Sequence, residues 1–566
     1  MTKRPSPLSL RASKFSKGEY STQRELNPAT ATSNLSPTEE ARNFLKSGAL
    51  IQHVSYVSSR HFQGTRHDRP MSIPKLSFSV SVESASASKL NSEVVVLPVF
   101  RGGALPWREN EVGKELSRLI QKRIDRDRFD AEAGKCHWID LEGFGASRVL
   151  LIGLGERKDY DRSALRNAYG TAAKEILERK VQHVGLPFVS GKDIGPDFDV
   201  ALEGFLLGTY RFDKYRKNNH KPLLQKISAG APDKRAKVLA EKTLAMVIPT
   251  VRAIFFSRDL VNEPANVVNP SFMETQAKQI AKEQGVSLKV FGEAELKKRG
   301  MNLILAVGMG SQEKPRLLHF EYKPKGKSKK KVAFCGKGVT FDSGGLSLKS
   351  QDHMYGMKAD MAGAAAVLAI VWLAAELKIP VHLHGLAPLV ENLPGAHSVK
   401  PGDVFVAHNG KSVEIENTDA EGRLILADTV SFASTLKVDH IIDAATLTGA
   451  CMVALGEDVA GMFTFDSKLA KGIGQASERV GERFWRLPME KAYMRLLKSD
   501  VADLRNVGGK YAGAITAALF LSEFVSAGSW AHLDIAGPAF LEHDSPICPK
   551  GGTGFGVRTM REFLST

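Results

Sequence analysis

Four cysteines in 566 residues are too few and too scattered to organise a fold. Cys136, Cys335, Cys451 and Cys548 make no Cys-x-x-Cys pair. That excludes a disulfide-stapled scaffold and a thiolate zinc site, and reads as reduced thiols in a cytoplasmic compartment. Cys335 follows Val332, Ala333 and Phe334, the company of a buried strand residue. Long apolar runs are also missing. The stretch 361–375 is fifteen apolar residues without a charge. It falls short of the roughly 18–20 that a bilayer requires, so it reads as an alanine-rich core helix and gives no reason to expect a membrane. No apolar run of signal-peptide length follows the basic start, which argues against secretion. Acidic residues are scarce at the N-terminus. Residues 1–75 hold twelve Lys/Arg against five Asp/Glu, so +7 of the net +16 lies there and +9 is left for the other 491 residues.

What is present is an ordinary globular composition, 43% hydrophobic and 25% charged, in a chain long enough for two or more domains. Residues 1–75, rich in Ser, Thr, Arg and Lys, read as a basic, disordered extension. An ordinary tail, a start placed upstream of Met71 and an organelle-targeting peptide all fit it. Residues 76–195 read as a small α/β domain, with strands at 75–82, 93–100 and 149–155 and a helix at 162–180. The Gly153-Leu-Gly155 pair lacks the third glycine and the ribose-binding acid of a dinucleotide site. Residues 196–257 read as linker and connecting helix: a helix at 198–210, a polar exposed loop at 217–237, and a helix at 239–260.

From 258 to 566 strands alternate with helices. Candidate strands are 287–291, 317–322, 332–335, 381–388 and 440–445. The expected fold is therefore α/β in two domains: a smaller N-terminal α/β domain, and a larger C-terminal domain with a central mixed, mainly parallel sheet flanked by helices. Six lysines in 323–331 suggest a solvated hairpin loop between two strands, with a nucleic-acid contact as the sharper alternative. His408-Asn-Gly-Lys411 carries an Asn-Gly hairpin turn.

Chemistry concentrates in 337–423. The chain reads Cys335-Gly-Lys-Gly-Val-Thr-Phe-Asp-Ser-Gly-Gly-Leu-Ser-Leu-Lys349, then Lys358-Ala-Asp-Met-Ala-Gly363, then Asn417-Thr-Asp-Ala-Glu-Gly-Arg-Leu-Ile-Leu-Ala-Asp428. Any one of Asp342, Asp360 and Asp419 could be a turn residue. Were 417–422 extended, Asp419, Glu421 and Arg423 would share a face. Paired carboxylates repel unless positive charge lies between them, and divalent cations supply it well.

These three blocks resemble, nearly residue for residue, the metal-binding motifs of the leucyl aminopeptidases, the M17-type dinuclear metallopeptidases. Asn417–Leu424 matches their signature octapeptide without a substitution. The resemblance is strongest from about residue 258 onward and extends, more weakly, back to about residue 90.

The resemblance implies a metal-dependent aminopeptidase that hydrolyses N-terminal, leucine-like residues from peptides by means of a metal-bridged water. It assigns Lys337, Asp342, Asp360, Asp419 and Glu421 to two divalent ions, Mn or Zn with Mg as a third candidate. Lys349 would stabilise the oxyanion, and Arg423 would anchor a bicarbonate. Met357, Asn417, Thr446, Leu447, Gly449 and Ala536 fall at substrate-binding positions. A homohexamer and a cytoplasmic location are implied, with organelle targeting by residues 1–75 left open. DNA is a further candidate partner, because some relatives act as accessory factors in recombination or transcription. A catalytically silent relative is the rival reading, and the presence of every ligand residue argues against it.

Overall fold

The computed structural model describes residues 71, 73–189, 197–217 and 223–566. The reading of residues 1–75 as a disordered extension lies almost wholly outside them.

The first sheet contains β1 (Ser79–Glu83), β2 (Ser92–Val99), β3 (Cys136–Asp140), β4 (Ala146–Gly153), β5 (His183–Pro187) and β6 (Lys226–Gly230), in the order β1-β6-β5-β2-β4-β3. Only the β3–β4 pairing is antiparallel. Helices Arg162–Glu178 and Phe198–Gly208 pack on one another beside it. β6 corrects the expectation of an exposed loop at 217–237, and it lies inside the segment expected to be linker. Its Ile227, Ser228 and Ala229 are buried between β1 and β5, a placement that the polar flanks of so short a run conceal.

The larger sheet follows the 29-residue helix Lys234–Asn262. Its strands are β7 (Ser287–Phe291), β8 (Arg316–Tyr322), β9 (Lys331–Gly336), β10 (Gly338–Asp342) and β11 (His382–Asn392). A hairpin of β12 (Asp403–Val406) and β13 (Ser412–Ile415) forms a separate three-stranded sheet with the short β17 (Leu504–Arg505), while β14 (His440–Ala445), β15 (Val459–Phe463), β16 (Arg483–Arg486) and β18 (Ser529–Asp534) complete the larger one. The order is β16-β15-β18-β14-β9-β11-β8-β7, with β10 alongside β11. The sheet is mixed, and its central pairings β18–β14–β9–β11 are all parallel.

One expectation fails here. β8 and β9 do not form a hairpin across the lysine-rich loop, because β11 inserts between them and pairs with both. The Asn-Gly hairpin does form, joining β12 to β13 with Gly410 at φ +88°.

The apolar run at 361–375 becomes the helix Ala362–Glu376, buried at every position from Ala362 to Ala374. The longer stretch Gln351–Glu376 is apolar and long enough to cross a membrane by composition, but 89% of its apolar window is buried in protein. Two glycines let this helix start against the strand ends. A Cβ on Gly363 would collide with the Ala444 carbonyl and stand 2.7 Å from the Lys337 nitrogen, and one on Gly336 would stand 2.8 Å from the Ala364 nitrogen. That close approach sets Asp360, two residues before the helix, beside Lys337.

Candidate metal centre

Ligands in open α/β sheets lie beyond the carboxyl ends of the strands. The ends of β9, β14, β18 and β11 deliver Lys337, Thr446, Asp534 and Asn392 to one rim. β10 adds Asp342, and the loop after β13 adds Asp419 and Glu421. Lys337, Asp342, Asp360 and Glu421 are all buried, and Asp419 is half-buried. One carboxylate oxygen from each of Asp342, Asp419 and Glu421 lies within 4.8 Å of the others.

The two lysines divide the cluster between them. Lys337 Nζ stands 2.7 Å from Asp360 Oδ1 and 2.8 Å from Glu421 Oε1, and donates to the Thr446 carbonyl at 3.0 Å. Lys349 Nζ stands 2.9 Å from Asp342 Oδ2 and 2.5 Å from Asp419 Oδ1. Burial pulls the Lys337 ammonium down, but Asp360, Glu421 and Asp342 outweigh it and hold the pKa above the ordinary lysine range. Lys349 is raised in the same way, burial being overcome by Asp342 and Asp419. Burial raises Asp360, Asp419 and Glu421 above the usual carboxylate range despite the lysines.

The carboxylates converge by a different route from strand alternation. The Asn417 side chain accepts from the Asp419 N–H at 2.9 Å, and the Ala420 N–H donates to the Asn417 carbonyl at 3.2 Å, so the chain turns at once. Glu421 has helical φ and ψ and caps the helix Gly422–Ser434. Asn417–Gly422 is therefore not extended. The Asx turn and the helix start aim the two acids instead.

Four groups brace the loops of this rim without a role assigned from the sequence, Asn392, Thr418 and Asn506 at 417–423 and Asp534 at 447–448. Asn392 Nδ2 donates to Asp342 Oδ1 at 2.8 Å and to the Thr418 carbonyl at 3.0 Å. Thr418 Oγ1 donates to the Gly344 carbonyl at 2.6 Å and accepts from the Ser347 N–H at 2.8 Å. Asn506 Nδ2 donates to the Asn417 carbonyl, and its own carbonyl accepts from Arg423 Nη1, both at 2.7 Å. Asp534 accepts from the Leu447 N–H, the Ala536 N–H and the Thr448 hydroxyl. Of these, only Thr418 belongs to a sequence motif.

The remaining expected residues are spread around the rim. Met357 opens a short helical turn whose carbonyl accepts from the Asp360 N–H. Thr446 donates to Asp360 Oδ1 at 2.9 Å. Leu447 and Ala536 are half-buried above Asp534, and Gly449 is exposed at the start of a short helix. Asn417 has its side-chain oxygen engaged within its own loop.

The donor set fits divalent cations. Four carboxylates outnumber the two lysines beside them, and Asp360 Oδ2 is buried without a hydrogen-bond partner. Such an oxygen is costly unless something positive meets it. Oxygen-rich sites with one nitrogen donor suit Mn, Mg or Zn. Arg423 is buried with Nε unpartnered, and burial, opposed by Glu421 and Asp534, pushes its pKa down to about 10.

Residues 255–561 match the family model described as the cytosol aminopeptidase family, catalytic domain, and residues 96–219 match that family's N-terminal domain. A protein of Aquifex aeolicus named "Probable cytosol aminopeptidase" is 41% identical over 485 residues, covering 84% of this chain and 96% of its own. One of the same name from Syntrophotalea carbinolica is likewise 41% identical, over 84% and 98%. Among solved structures, the bottromycin maturation enzyme BotP in complex with Mn is 36% identical with a TM-score of 0.74, over 84% of this chain and 99% of that one. A tomato leucine aminopeptidase mutant is 30% identical with a TM-score of 0.77, over 88% and 98%.

Proposed function

The chain belongs to the cytosol aminopeptidase family, a family of metal-dependent aminopeptidases, and from that premise we propose a mechanism and a substrate preference. The observation that carries the proposal is the gathering of Asp342, Asp360, Asp419, Glu421 and Lys337 from separate segments into one largely buried cluster. Asp342 and Glu421 would bridge two divalent ions, Asp419 would complete one site, and Lys337 and Asp360 the other. When bound, the ions supply Lewis acidity, making water acidic and gripping the free α-amine of a peptide. Lys337 can ligate only as the neutral amine, so its proton must leave as cations arrive.

The protein's own groups do the rest. Lys349 stays charged and stabilises negative charge developing on the scissile carbonyl. Arg423 anchors a small anion, for which bicarbonate is the candidate. Met357, Thr446, Leu447, Gly449 and Ala536 line the entrance, and Asn417 positions Asp419. A mostly apolar wall favours leucine-like first residues, with breadth, since a single methylene is worth only about 1–3 kcal/mol. The family resemblance also implies a homohexamer, for which the solution mass is the test.

The test is turnover of Leu-p-nitroanilide after chelation and re-addition of Mn, Zn or Mg, beside an N-acetylated control. Activity should return with metal, and the acetylated compound should stay intact. Cleavage of both compounds alike would overturn the exopeptidase reading.

A second reading, DNA contact, draws on the net charge of +16 and the lysines of 323–331. Two of those lysines are already engaged: Lys323 pairs with Glu321 at 2.9 Å, and Lys330 donates to the Phe563 carbonyl at 2.5 Å. Gel shifts across a salt series decide it, and no retardation at low salt would remove it.

A further inference from the structure

We propose that Glu321, His382 and His384 form a second transition-metal site, able to take Zn, Cu or Ni, at the opposite end of the large sheet from the centre described above. The proposal does not depend on the aminopeptidase reading.

His382 and His384 are two residues apart on β11, so they share a face. Gly385 lies on the other face, against Val367 and Val371 of the buried helix. β8 runs antiparallel beside β11 and sets Glu321 directly opposite His384. One ligand atom from each of the three residues lies within 4.8 Å of the others. His382 Nε2 stands 3.0 Å from Glu321 Oε1, and the two imidazole rings are 4.8 Å apart with an interplanar angle of 38°. Two paired strands thus fix all three donors by backbone register, leaving little to order on binding.

A tetrahedral ion with bonds of about 2.0–2.1 Å holds its donors about 3.3 Å apart, which small rotations of these side chains reach. Two nitrogens and one carboxylate suit Zn, Cu and Ni rather than Mg or Ca, and they leave a fourth position for water. The orienting partner is also present. His384 Nδ1 is 3.0 Å from Nε2 of the buried His319, so Nε2 is the atom His384 offers outward. In the metal-bound tautomer His384 Nδ1–H donates to His319, the arrangement that steadies a ligating imidazole.

Access comes from the strand ends, where the His382 side chain is 16% and Glu321 30% exposed. Lys323, paired with Glu321 and 64% exposed, must swing aside, and an exposed pair of this kind yields easily. From His384 to Asn392 is eight residues of one strand, about 26 Å at about 3.3 Å per residue, so the two centres are separate.

The test uses the full chain, stripped with a chelator, saturated with Mg2+, then given one equivalent of Cu2+. Pulsed EPR reads the modulation from the remote nitrogen of a ligating imidazole. None of the residues proposed to hold the catalytic ions is a histidine, so copper bound there gives no such modulation. The expected result is imidazole modulation in the wild type and in Glu421→Gln, lost in both His382→Gln and His384→Gln. Cooperative melting of the two histidine variants should match the wild type, showing that they fold. Absence of imidazole modulation in the wild type, or modulation unchanged in both histidine variants, would overturn the site.

Discussion

Gly422→Ala is the most informative small change in the molecule. Gly422 opens the helix Gly422–Ser434 and is not among the residues at positive φ, so the backbone accepts alanine. Helix propensity alone would favour the substitution by up to about 1 kcal/mol. Space forbids it. The new Cβ would stand 2.7 Å from Lys337 Nζ and 2.8 Å from Cδ, and it would overlap Cε. Ordinary contact begins at 3.4 Å, so Nζ must retreat by about 3.4 minus 2.7, or 0.7 Å. That amine now sits 2.7 Å from Asp360, 2.8 Å from Glu421 and 3.0 Å from the Thr446 carbonyl. Losing one such charged hydrogen bond costs roughly 1.5–3 kcal/mol. A comparable misplacement of a reacting group lowers turnover on the order of 100-fold. The expected outcome is a folded protein with bound metal reduced and Leu-p-nitroanilide turnover down about 100-fold. Metal per chain by mass spectrometry and steady-state kinetics read both. Wild-type metal content together with turnover within a few-fold of wild type would refute the placement of Lys337 among the ligands.

Two further outcomes follow from the geometry. Lys349→Ala removes an ammonium that pairs with Asp342 and Asp419, so metal should bind at least as well while kcat falls by two orders of magnitude or so; loss of metal instead would show that Lys349 is misassigned. Asp428, fully buried, accepts from the backbone N–H groups of Leu303, Ile304 and His408, and burial outweighs them, pushing its pKa up to about 7 from 3.8. The folded state then holds this proton to higher pH than the unfolded one, so its contribution to stability is full below about 3.8 and is lost as pH rises through about 7. Melting temperature against pH should fall across that window in the wild type and flatten in Asp428→Asn; parallel curves would contradict the assignment.

Where local pattern decides structure, the sequence was a good guide. The strands at 287–291 and 440–445 have the bounds of β7 and β14, because short apolar runs flanked by polar residues and turns leave few alternatives. Motif residues also converge as expected, since Lys337, Asp342, Asp360, Asp419 and Glu421 share one rim. What was hidden depends on partners distant in the chain. β11 separates β8 from β9, and β6 crosses into the first sheet, through pairings that no local window contains. β11 also runs on from the expected end at 388 to Asn392, which is how that residue reaches Asp342. Asn506 and Asp534 matter only because topology carries them to the separate loops they brace, at 416–423 and at 447–448. Asp419 and Glu421 would share a strand face only if 417–422 were extended, and instead an Asx turn and a helix start direct them.

The most direct measurement is metal bound per chain in Glu421→Gln beside the wild type, with turnover of Leu-p-nitroanilide on the same samples. Loss of the Glu421 carboxylate, proposed above to hold both ions, should remove metal and activity together, in a protein that still melts cooperatively. Full metal content with full turnover in Glu421→Gln would contradict the claim that this cluster holds the ions that activate water.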